Sequence, residues 1–287
     1  MGRAPQVLAV IPTFRPTDQA RDLVESLSTQ VDHILISDDA SPCTSDALLH
    51  GLSQSQRVTV IRHDRNAGIA RGLNEGLTLA LERRAPWLLT VDQDSQVSGT
   101  YVQDLLRAAT ERLEVQEPLG AIGASEIMDA SGHMTYPLQG DAQHPITEEI
   151  IQTGTLWRTH SLSACGGFNE EFGIDAVDAA ACLALRQQGF TIGVAPDVAL
   201  EHAIGSATVV EALGHSIMIT AHSPERRTSM LRNRLRLFPA EFRQSPRHAI
   251  RTLRRVAVNQ SVGIIIEKER WAKARASLRG LRPPRAR

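Results

Sequence analysis

Short apolar runs of strand length alternate with amphipathic segments through the first third of the chain. The strand-like runs lie at residues 6–12, 33–37, 58–62 and 87–91. The segments between them, in which apolar residues recur at helical spacing, lie at 17–30, 45–52 and 66–82. Strands that alternate with helices predict β-α-β units and a mostly parallel, Rossmann-like α/β sheet with helices on both faces.

The pattern becomes less regular farther along the chain. Residues 119–140 combine short apolar pieces with many turn-forming residues and show no clear period. Three clearer segments follow, a helix at 176–188 and strands at 190–194 and 198–200. After Gly205, arginine-rich segments with helical spacing predict helices at 225–238 and 246–281.

Length and composition are those of an ordinary globular protein, with 287 residues, of which 42% are hydrophobic and 22% charged. The net charge of −1 hides an asymmetry, because residues 220–287 hold eighteen Lys or Arg against four Asp or Glu. We therefore expect an α/β domain over 1–219, with halves at about 1–118 and 119–219, and a basic α-helical region over 220–287.

The basic region suits an anionic membrane surface, a nucleic acid or an acidic partner protein. Its aromatic residues are only Phe238, Phe242 and Trp271, which is few for base stacking, so nucleic acid is disfavoured as a partner. Arginine-rich helices suit a homodimer interface as well as they suit a membrane contact. Both readings of the basic region therefore stay open at this point.

Three sequence features bear on the cellular compartment: the length of the apolar runs, the beginning of the chain and the pattern of cysteines. The apolar runs are too short to span a bilayer, and the beginning of the chain does not resemble a signal peptide. The three cysteines, Cys43, Cys165 and Cys182, are widely spaced and match no metal-binding pattern, which is typical of free thiols. We expect a cytoplasmic protein whose basic region lies against the inner face of the plasma membrane.

Carboxylates gather at the predicted ends of two strands, where parallel sheets bind their ligands. Asp92 and Asp94 follow the fourth strand-like run, and Asp38 and Asp39 follow the second. The side chains of Asp92 and Asp94 point the same way because they are two residues apart on a strand. Their mutual repulsion is relieved by a cation, and Mg²⁺ prefers carboxylates together with phosphate oxygens. The spacing is compatible with a metal-diphosphate site, but taken alone it is weak evidence, because a polar strand-to-loop turn is the more common setting for such residues.

Six segments resemble, in order and spacing, the family 2 glycosyltransferases with the GT-A fold. They are VLAVIPTFRP, ILISDDAS, NAGIARGLNEGL, LLTVDQDS, GGFNEEFGIDAVDAAACLALRQQGF and LEHAIG. The DQDS variant and the segment RRTSMLRNRL are most similar to the rhamnosyltransferase branch. The resemblance covers residues 6–238. It implies a metal-dependent, inverting transfer of L-rhamnose from dTDP-L-rhamnose to a glycan or lipid-linked acceptor in cell-surface polysaccharide or cell-wall synthesis.

This resemblance also implies a metal site and a donor site at the strand ends. Asp94 and His202 would hold Mg²⁺ or Mn²⁺, with Asp92 assisting the ion or holding the ribose, although a surface histidine is the ordinary alternative for His202. Asp39 would read the nucleobase and Asp38 would support it. For the two arginines among the donor contacts, a solvated or ion-paired side chain is the alternative. The implied donor contacts are Pro12, Thr13, Asp38, Asp39, Arg71, Asp92, Gln93 and Arg232.

On the acceptor side, Asp178 resembles the general base that takes the proton of the attacking hydroxyl. Asp175 is a second candidate, because a spacing of three puts it on nearly the same helical face, with a helix N-terminal acid as the alternative. The chain departs from the family pattern at Ala180, where an acid is usual, and at Ala184, where arginine is common. The implied acceptor-binding residues are Trp157, Gly166, Gly167 and Phe168, with a core position as the alternative for the tryptophan.

Other functions compete with this interpretation. A UDP-sugar is the alternative donor, and a catalytically inactive scaffold that binds nucleotide sugar is the non-enzymatic alternative, which Ala180 favours. A sugar-1-phosphate nucleotidyltransferase or a Rossmann dehydrogenase is disfavoured. Both classes need a glycine-rich loop after the first strand, whereas this chain has the sequence PTFRP there.

Overall fold

The structure is a computed structural model that describes residues 6–129, 132–202, 207–212, 215–220, 223–266 and 270–281. By its internal contacts the chain divides into two units. The first comprises Met1–Met128 and His133–His202, and the second comprises Asp129–Gly132 and Ala203–Arg287. The domain boundary expected after residue 219 stays a prediction.

Strands and helices alternate along the first unit. The elements of its first part are β1 (Val7–Thr13), α1 (Asp18–Ser28), β2 (His33–Asp38), α2 (Asp46–Leu52), β3 (Val58–Arg62), α3 (Ile69–Glu82) and β4 (Trp87–Thr90). Farther along, as far as residue 202, the elements are β5 (Ser95–Gln96), α4 (Tyr101–Glu114), β6 (Leu119–Asp129), β7 (Gly132–Thr135), β8 (Thr155–Arg158), α5 (Thr159–Ala164), α6 (Val177–Gln187) and β9 (Thr191–His202). The first seven elements agree with the periodic pattern of the sequence, whereas α4 had no prediction.

Nine strands form one sheet with the order β3-β2-β1-β4-β8-β6-β9-β5, and β7 pairs with β6. Neighbouring strands are parallel from β3 through to β4, and again between β6 and β9. Between these two blocks lies β8, which is antiparallel to both β4 and β6. The predicted α/β fold with a mostly parallel sheet flanked by helices is therefore confirmed.

The sheet is organised around β1, whose residues 7–11 are all buried. A strand covered on both faces is a continuous apolar run, as this one is. Helix α3 approaches β1 closely because two of its residues are glycines. A Cβ atom on Gly76 would lie 2.5 Å from the Cβ of Val10, and one on Gly72 would lie 2.7 Å from the Ser37 hydroxyl oxygen. The glycines therefore hold α3 against the strands that carry the acidic residues.

β6 and β9 are longer than the sequence pattern predicts. β6 runs through much of the segment that shows no clear period, and β9 joins the two predicted short strands into one. The β6–β9 register shifts between Ala124 and Glu126, and Asp197 has a φ of 61°. The prediction of two separate strands is therefore wrong, because a bulge carries Pro196 and Asp197 through a continuous strand.

The second unit contains a hairpin and three helices among its described residues. The strands β10 (Ala207–Ala212) and β11 (His215–Thr220) are antiparallel. The helices are α7 (Pro224–Gln244), α8 (Pro246–Ile266) and α9 (Arg270–Gly280). A buried polar contact joins all three helices, because Arg227 Nη1 and the Ser277 hydroxyl both donate to Gln260 Oε1, at 3.2 and 2.9 Å.

The helix predicted over 246–281 is in fact two helices. α8 ends at Ile266 and α9 begins at Arg270, and α9 packs against α7 as well as α8. Helical periodicity continues across the two segments, so the sequence pattern alone does not reveal the break. Within the described part of the chain, no helix is both long enough and apolar enough to cross a membrane.

Substituting Gly76 by alanine should destabilise the protein by about 1–3 kcal/mol, because the new methyl group would overlap the side chain of Val10. The matched control is Gly51→Ala in α2, where a Cβ atom would meet nothing within 4 Å. Urea unfolding measures both changes. Equal stabilities for the two variants would contradict the close packing of α3 on β1.

Candidate active site

Three parallel strands bring polar residues together at their carboxyl ends. The β1–β2 register pairs Thr13 with Asp38, and the β1–β4 register pairs Val10 with Thr90, two residues before Asp92. The chain leaves each of these strands at the same edge of the sheet, where ligands bind in folds of this class. The predicted convergence of the strand-end residues is therefore present in the structure.

Asp38 is a buried anchor, because its side chain is 0% exposed. Its carboxylate accepts hydrogen bonds from the Thr13 hydroxyl at 3.2 Å, the Ser41 amide at 3.1 Å and Arg62 Nε at 3.3 Å. A carboxylate with no exposed surface cannot touch a ligand at this edge. The expectation that Asp38 contacts the donor is therefore corrected: it holds together the ends of the strands.

Asp39 lies next to Asp38 and is partly accessible, with a side chain that is 13% exposed. Its carboxylate accepts from the amides of Ala67 and Gly68, at 2.7 and 3.0 Å, and faces His63 Nδ1 at 3.3 Å. Ala67 and Gly68 lead directly into α3. Asp39 therefore links the end of β2 to the loop that precedes α3, and it keeps an exposed edge for a ligand.

The loop after β1 is held by Gln93. The Gln93 amide group accepts from the Phe14 amide at 3.0 Å and donates to the Phe14 carbonyl at 3.1 Å. The Arg15 amide donates to the Ser41 hydroxyl at 2.7 Å, which joins the same loop to the end of β2. Pro12, which begins this stretch, is half-buried. Hydrogen bonds thus connect the loop after β1 with the residues that follow β2 and β4.

The predicted metal ligands are brought together by the short pairing of β5 with β9. In this ladder Ser95 lies opposite His202, and the Ser95 hydroxyl lies 2.9 Å from His202 Nδ1. The imidazole then faces both carboxylates, with Nε2 3.7 Å from Asp92 Oδ2 and Nδ1 3.6 Å from Asp94 Oδ1. The group that sequence reasoning proposed is therefore assembled in space.

These three side chains fit a divalent ion. One ligand atom from each of Asp92, Asp94 and His202 lies within 4.8 Å of the others, which is compatible with three ligands around one ion at bond lengths near 2 Å. Two carboxylates and one imidazole form a donor set suited to Mg²⁺ or Mn²⁺. The ligands belong to the half-buried part of the edge, so an ion there would remain accessible to a diphosphate.

Two residues that sequence reasoning missed hold Asp92 in place. Gln152 Nε2 donates to the Asp92 carboxylate, and the Asp92 amide donates to the Thr153 hydroxyl at 2.9 Å. The Thr153 hydroxyl also lies 2.8 Å from that of Ser95. Partners of this kind orient metal ligands. No local pattern marks Gln152 and Thr153, because they reach the site through the antiparallel β4–β8 pairing that begins just after them.

The segment between α5 and α6 is fastened to α3 by Asn74. Its side chain donates to the Phe168 carbonyl at 2.8 Å and accepts from the Phe168 amide at 2.9 Å. Gly167 has a φ of 73°, and a Cβ atom there would lie 2.7 Å from Asn74 Oδ1, so glycine is required at this turn. The turn formed by Gly166 and Gly167 thus agrees with the prediction, and hydrogen bonds attach it to α3.

Trp157 and Phe168 are core residues. Trp157 is 0% exposed, its indole nitrogen donates to the Thr90 hydroxyl at 2.8 Å, and its ring packs edge-on against Phe168 at 5.3 Å. Phe168 is buried as well. The expectation that either ring contacts a sugar is therefore wrong, because an aromatic platform for a sugar needs an exposed face.

Asp178 lies in the first turn of α6, half-buried, and its carboxylate accepts from the Ala179 amide at 2.8 Å. Burial raises the pKa of the neighbouring Tyr136 hydroxyl far above its usual value, and the charges of Asp178 and Glu149 raise this pKa further. Burial likewise raises the pKa of the Cys182 thiol, with the same two carboxylates adding to the shift. Glu149, which sequence reasoning missed, therefore lies in the same group as Asp178.

Asp175 does not share a helical face with Asp178. Helix α6 begins at Val177, and Ala176 before it has a left-handed backbone with a φ of 67°. The chain therefore turns between Asp175 and the helix, and the predicted spacing on one helical face is wrong. Asp175 remains half-buried beside the start of α6.

The two predicted diphosphate arginines have different surroundings. Arg71, in the first turn of α3, is partly exposed and lies 3.4 Å from Glu75 Oε1 through its Nε. Arg232 lies in α7, in the second unit, and is half-buried there. A donor contact by either arginine stays a prediction.

Sequence comparison agrees with this geometry. Residues 8–131 match the family described as glycosyl transferase family 2. A relative from Shigella flexneri, dTDP-rhamnosyl transferase RfbF, is 27% identical over 243 residues, covering 79% of this chain and 78% of the relative. The chain therefore resembles the family 2 glycosyltransferases. The family match ends at residue 131, while the similarity to the Shigella protein extends over most of the chain.

Solved structures with the GT-A fold resemble this chain over most of its length. TarS 1-349 from S. aureus, in complex with UDP-GlcNAc, has a TM-score of 0.65 at 16% identity, covering 96% of this chain and 79% of that one. Mannosyltransferase PcManGT from Pyrobaculum calidifontis, in complex with GDP-Man and Mn²⁺, has a TM-score of 0.58 at 13% identity, with the same coverage. The chain spans 42% of the longer TarS structure. At these identities the likeness shows the fold.

Asp94→Asn and His202→Ala should each weaken Mn²⁺ binding by at least about tenfold, because each change removes or neutralises a ligand. The control is His50→Ala in α2, which changes an exposed histidine outside this group. Electron paramagnetic resonance of free Mn²⁺ measures the affinity. Unchanged binding in both ligand variants would show that the ion, if bound, lies elsewhere.

Proposed function

We propose that this chain transfers L-rhamnose from dTDP-L-rhamnose to a glycan or lipid-linked acceptor, with inversion at the anomeric carbon. The observation that carries the proposal is the group of Asp92, Asp94 and His202 at the end of β4, beside the loops predicted to hold the nucleotide. The rhamnosyl donor is supported by 27% identity to a dTDP-rhamnosyl transferase. A cell-surface polysaccharide or cell-wall glycan is the corresponding class of product.

Asp92, Asp94 and His202 would hold the metal ion. A divalent ion bound there would stabilise the negative charge of the departing diphosphate. Imidazole suits Mn²⁺ at least as well as Mg²⁺, and two of the solved structures with this fold, GalNAc-T7 and PcManGT, contain Mn²⁺. Gln152 and Thr153 would keep Asp92 oriented toward the ion.

The nucleotide would lie against the loops after β1 and β2. Asp39 would accept a hydrogen bond from N3–H of thymine through its exposed edge, while Pro12, Thr13 and Gln93 shape the adjoining loop. Arg71 would approach the diphosphate from the first turn of α3. A diphosphate contact by Arg232 stays a prediction from the sequence.

Asp178 would act as the general base. In an inverting reaction the acceptor hydroxyl attacks from the face opposite the diphosphate, and a carboxylate takes its proton. The first turn of a helix favours the ionised carboxylate that this role needs, and Asp178 lies there. Glu149 supplies the second carboxylate of this region, which the family pattern would place at Ala180. Asp175 remains the alternative base.

The acceptor would enter near the glycine turn. Gly166 has open space where a Cβ atom would lie, so the backbone of this turn is accessible to an acceptor sugar. Gly167 lies against the Asn74 side chain, which attaches the turn to α3 and hence to the part of the sheet proposed to bind the donor. The acceptor therefore would meet backbone groups here and not an aromatic platform.

A UDP-sugar is the second candidate donor, because the TarS structure with a TM-score of 0.65 binds UDP-GlcNAc. The nucleobase contact proposed for Asp39 serves uracil as well as thymine, since both present the N3–H group. A catalytically inactive scaffold is the non-enzymatic alternative, favoured by the alanines at 180 and 184. Measurements of donor binding and of product formation distinguish a dTDP-rhamnose transferase, a UDP-sugar transferase and an inactive scaffold.

The second unit is proposed to hold the enzyme at an anionic membrane surface, where a lipid-linked acceptor would be found. Its α8 and α9 helices expose the apolar side chains of Ile250, Trp271 and Leu278, with Trp271 81% exposed. Exposed arginines accompany them at Arg247, Arg251, Arg254, Arg255, Arg275 and Arg279. Arginine beside exposed tryptophan and leucine suits a lipid headgroup interface, whereas a homodimer contact would bring like charges together.

With dTDP-L-rhamnose and a rhamnosyl acceptor, the full chain should form product in the presence of Mn²⁺, and Asp178→Asn should reduce kcat by at least about 100-fold, because the general base is lost. The control, Asp104→Asn, changes an acid of α4 outside the site. Product formation is measured by mass spectrometry. Donor binding without turnover in the wild type would favour the scaffold, and turnover with a UDP-sugar alone would replace the donor.

Reversing two exposed charges of α8, Arg254→Glu with Arg255→Glu, should lower membrane partitioning at least about tenfold, because each basic residue near an anionic surface contributes about 1 kcal/mol. The matched control reverses Arg21 and Arg107, which are exposed on the first unit. Flotation with vesicles of equal parts phosphatidylcholine and phosphatidylglycerol measures the bound fraction. Equal losses in both double variants would indicate a general charge effect and not this surface.

A further inference from the structure

His63 is a buried histidine that faces two carboxylates from different elements. It follows β3 directly, and its side chain is 2% exposed. Its Nδ1 lies 3.3 Å from Asp39 Oδ1, and its Nε2 lies 2.9 Å from Glu75 Oε1. Donation to both carboxylate oxygens uses both ring nitrogens, which is the arrangement of a protonated imidazolium. His63 thus connects the loop after β2 with the middle of α3.

The Asp39 carboxylate that faces His63 also contacts the loop that precedes α3. The same carboxylate accepts from the amides of Ala67 and Gly68. Gly68 has a φ of 90°, and a Cβ atom there would lie 2.8 Å from the carbonyl oxygen of Gly173, so the loop lies close against the backbone at Gly173. The orientation of the Asp39 carboxylate is therefore set jointly by two backbone amides and by His63.

On the Glu75 side, the connection reaches a predicted diphosphate contact. Glu75 Oε2 accepts from the Ser37 hydroxyl at 2.7 Å, and Glu75 Oε1 lies 3.4 Å from Arg71 Nε. Glu75 therefore receives hydrogen bonds from β2, from the residue after β3 and from its own helix. Three hydrogen-bond donors on one carboxylate fix its position more firmly than packing alone.

We propose that His63 is a positioning residue for the nucleotide of the donor, acting by holding the Asp39 carboxylate in the orientation that meets the nucleobase. The inference rests on the proposed function, because it takes the donor to lie against Asp39. Glu75 is the second positioning residue, because its carboxylate contacts Nε2 of the imidazole and so keeps Nδ1 directed toward Asp39. His63 itself would not touch the nucleotide.

Two conservative substitutions separate the two contacts of this imidazole. In His63→Asn the side-chain amide nitrogen takes a place similar to Nδ1, so a hydrogen bond to Asp39 is retained and that to Glu75 is lost. In His63→Gln the amide nitrogen takes a place similar to Nε2, so the reverse holds. A role in packing alone predicts the same outcome for both variants, because both amides are smaller than imidazole.

The experiment compares the wild type with these two full-length variants. Calorimetry measures the binding of dTDP and of UDP with Mn²⁺ present, and melting temperature and Mn²⁺ affinity are recorded for each protein. Hydrogen exchange at the amides of Ala67 and Gly68 reports on the loop independently of any nucleotide. We expect His63→Gln to weaken nucleotide binding by about tenfold or more, because Asp39 loses a hydrogen bond to a charged acceptor.

We expect the nucleotide affinity of His63→Asn to stay within about threefold of the wild-type value, because the hydrogen bond to Asp39 is retained. The amides of Ala67 and Gly68 should exchange faster in His63→Gln only, while Mn²⁺ affinity is unchanged in both variants. Equal nucleotide affinities in the two variants, or affinities that simply follow melting temperature, would overturn the inference. A wild-type protein that binds Mn²⁺ but neither nucleotide would overturn the proposed function itself, and this inference with it.

Discussion

Folding of the part of the sheet formed by β1, β2 and β3 depends on basic partners for the two acidic residues at the end of β2. The parallel register places Asp38 beside Arg62, and Arg62 and His63 lie 3.3 Å from the carboxylates of Asp38 and Asp39. A carboxylate as deeply buried as that of Asp38 requires such a partner, because the desolvation of an unpaired charge would oppose folding. With Asp38 satisfied inside the sheet, its neighbour Asp39, whose side chain is 13% exposed, fastens the loop before α3.

The acidic residues after β4 have different surroundings. The basic group that the structure brings to Asp92 and Asp94 is the imidazole of His202, at 3.6 to 3.7 Å, and imidazole is a metal ligand as well as a base. An arginine in that place would form a closed ion pair, whereas a histidine leaves a set of three ligands for a divalent ion. The two acidic pairs at this sheet edge therefore have different partners, Arg62 and His63 for the first and His202 for the second, and the second pair with its histidine has the composition of a cation site.

Helix α3 contacts both the end of β2 and the turn that precedes Phe168. Its two glycines allow it to lie close against β1 and β2, its Glu75 holds His63, and its Asn74 binds both backbone groups of Phe168. The loop that would bind the donor and the turn that would meet the acceptor are therefore attached to one rigid element. Such an arrangement suits a transfer reaction, because the reacting groups must be held in a fixed relative orientation.

The sequence by itself determined the first seven elements, the strand-end positions of Asp39, Asp92 and Asp94, and the resemblance on which His202 was proposed. These features are visible because strands, helices and turns leave local, periodic patterns. Only the tertiary structure decided that Trp157 lies in the core, that Asp175 lies outside α6, and that β9 is one bulged strand. It also decided which residues support the site, including His63, Glu75 and Gln152. The physical reason is distance along the chain: Ser95 and His202 are 107 residues apart, and contacts made across the sheet leave no period in the sequence.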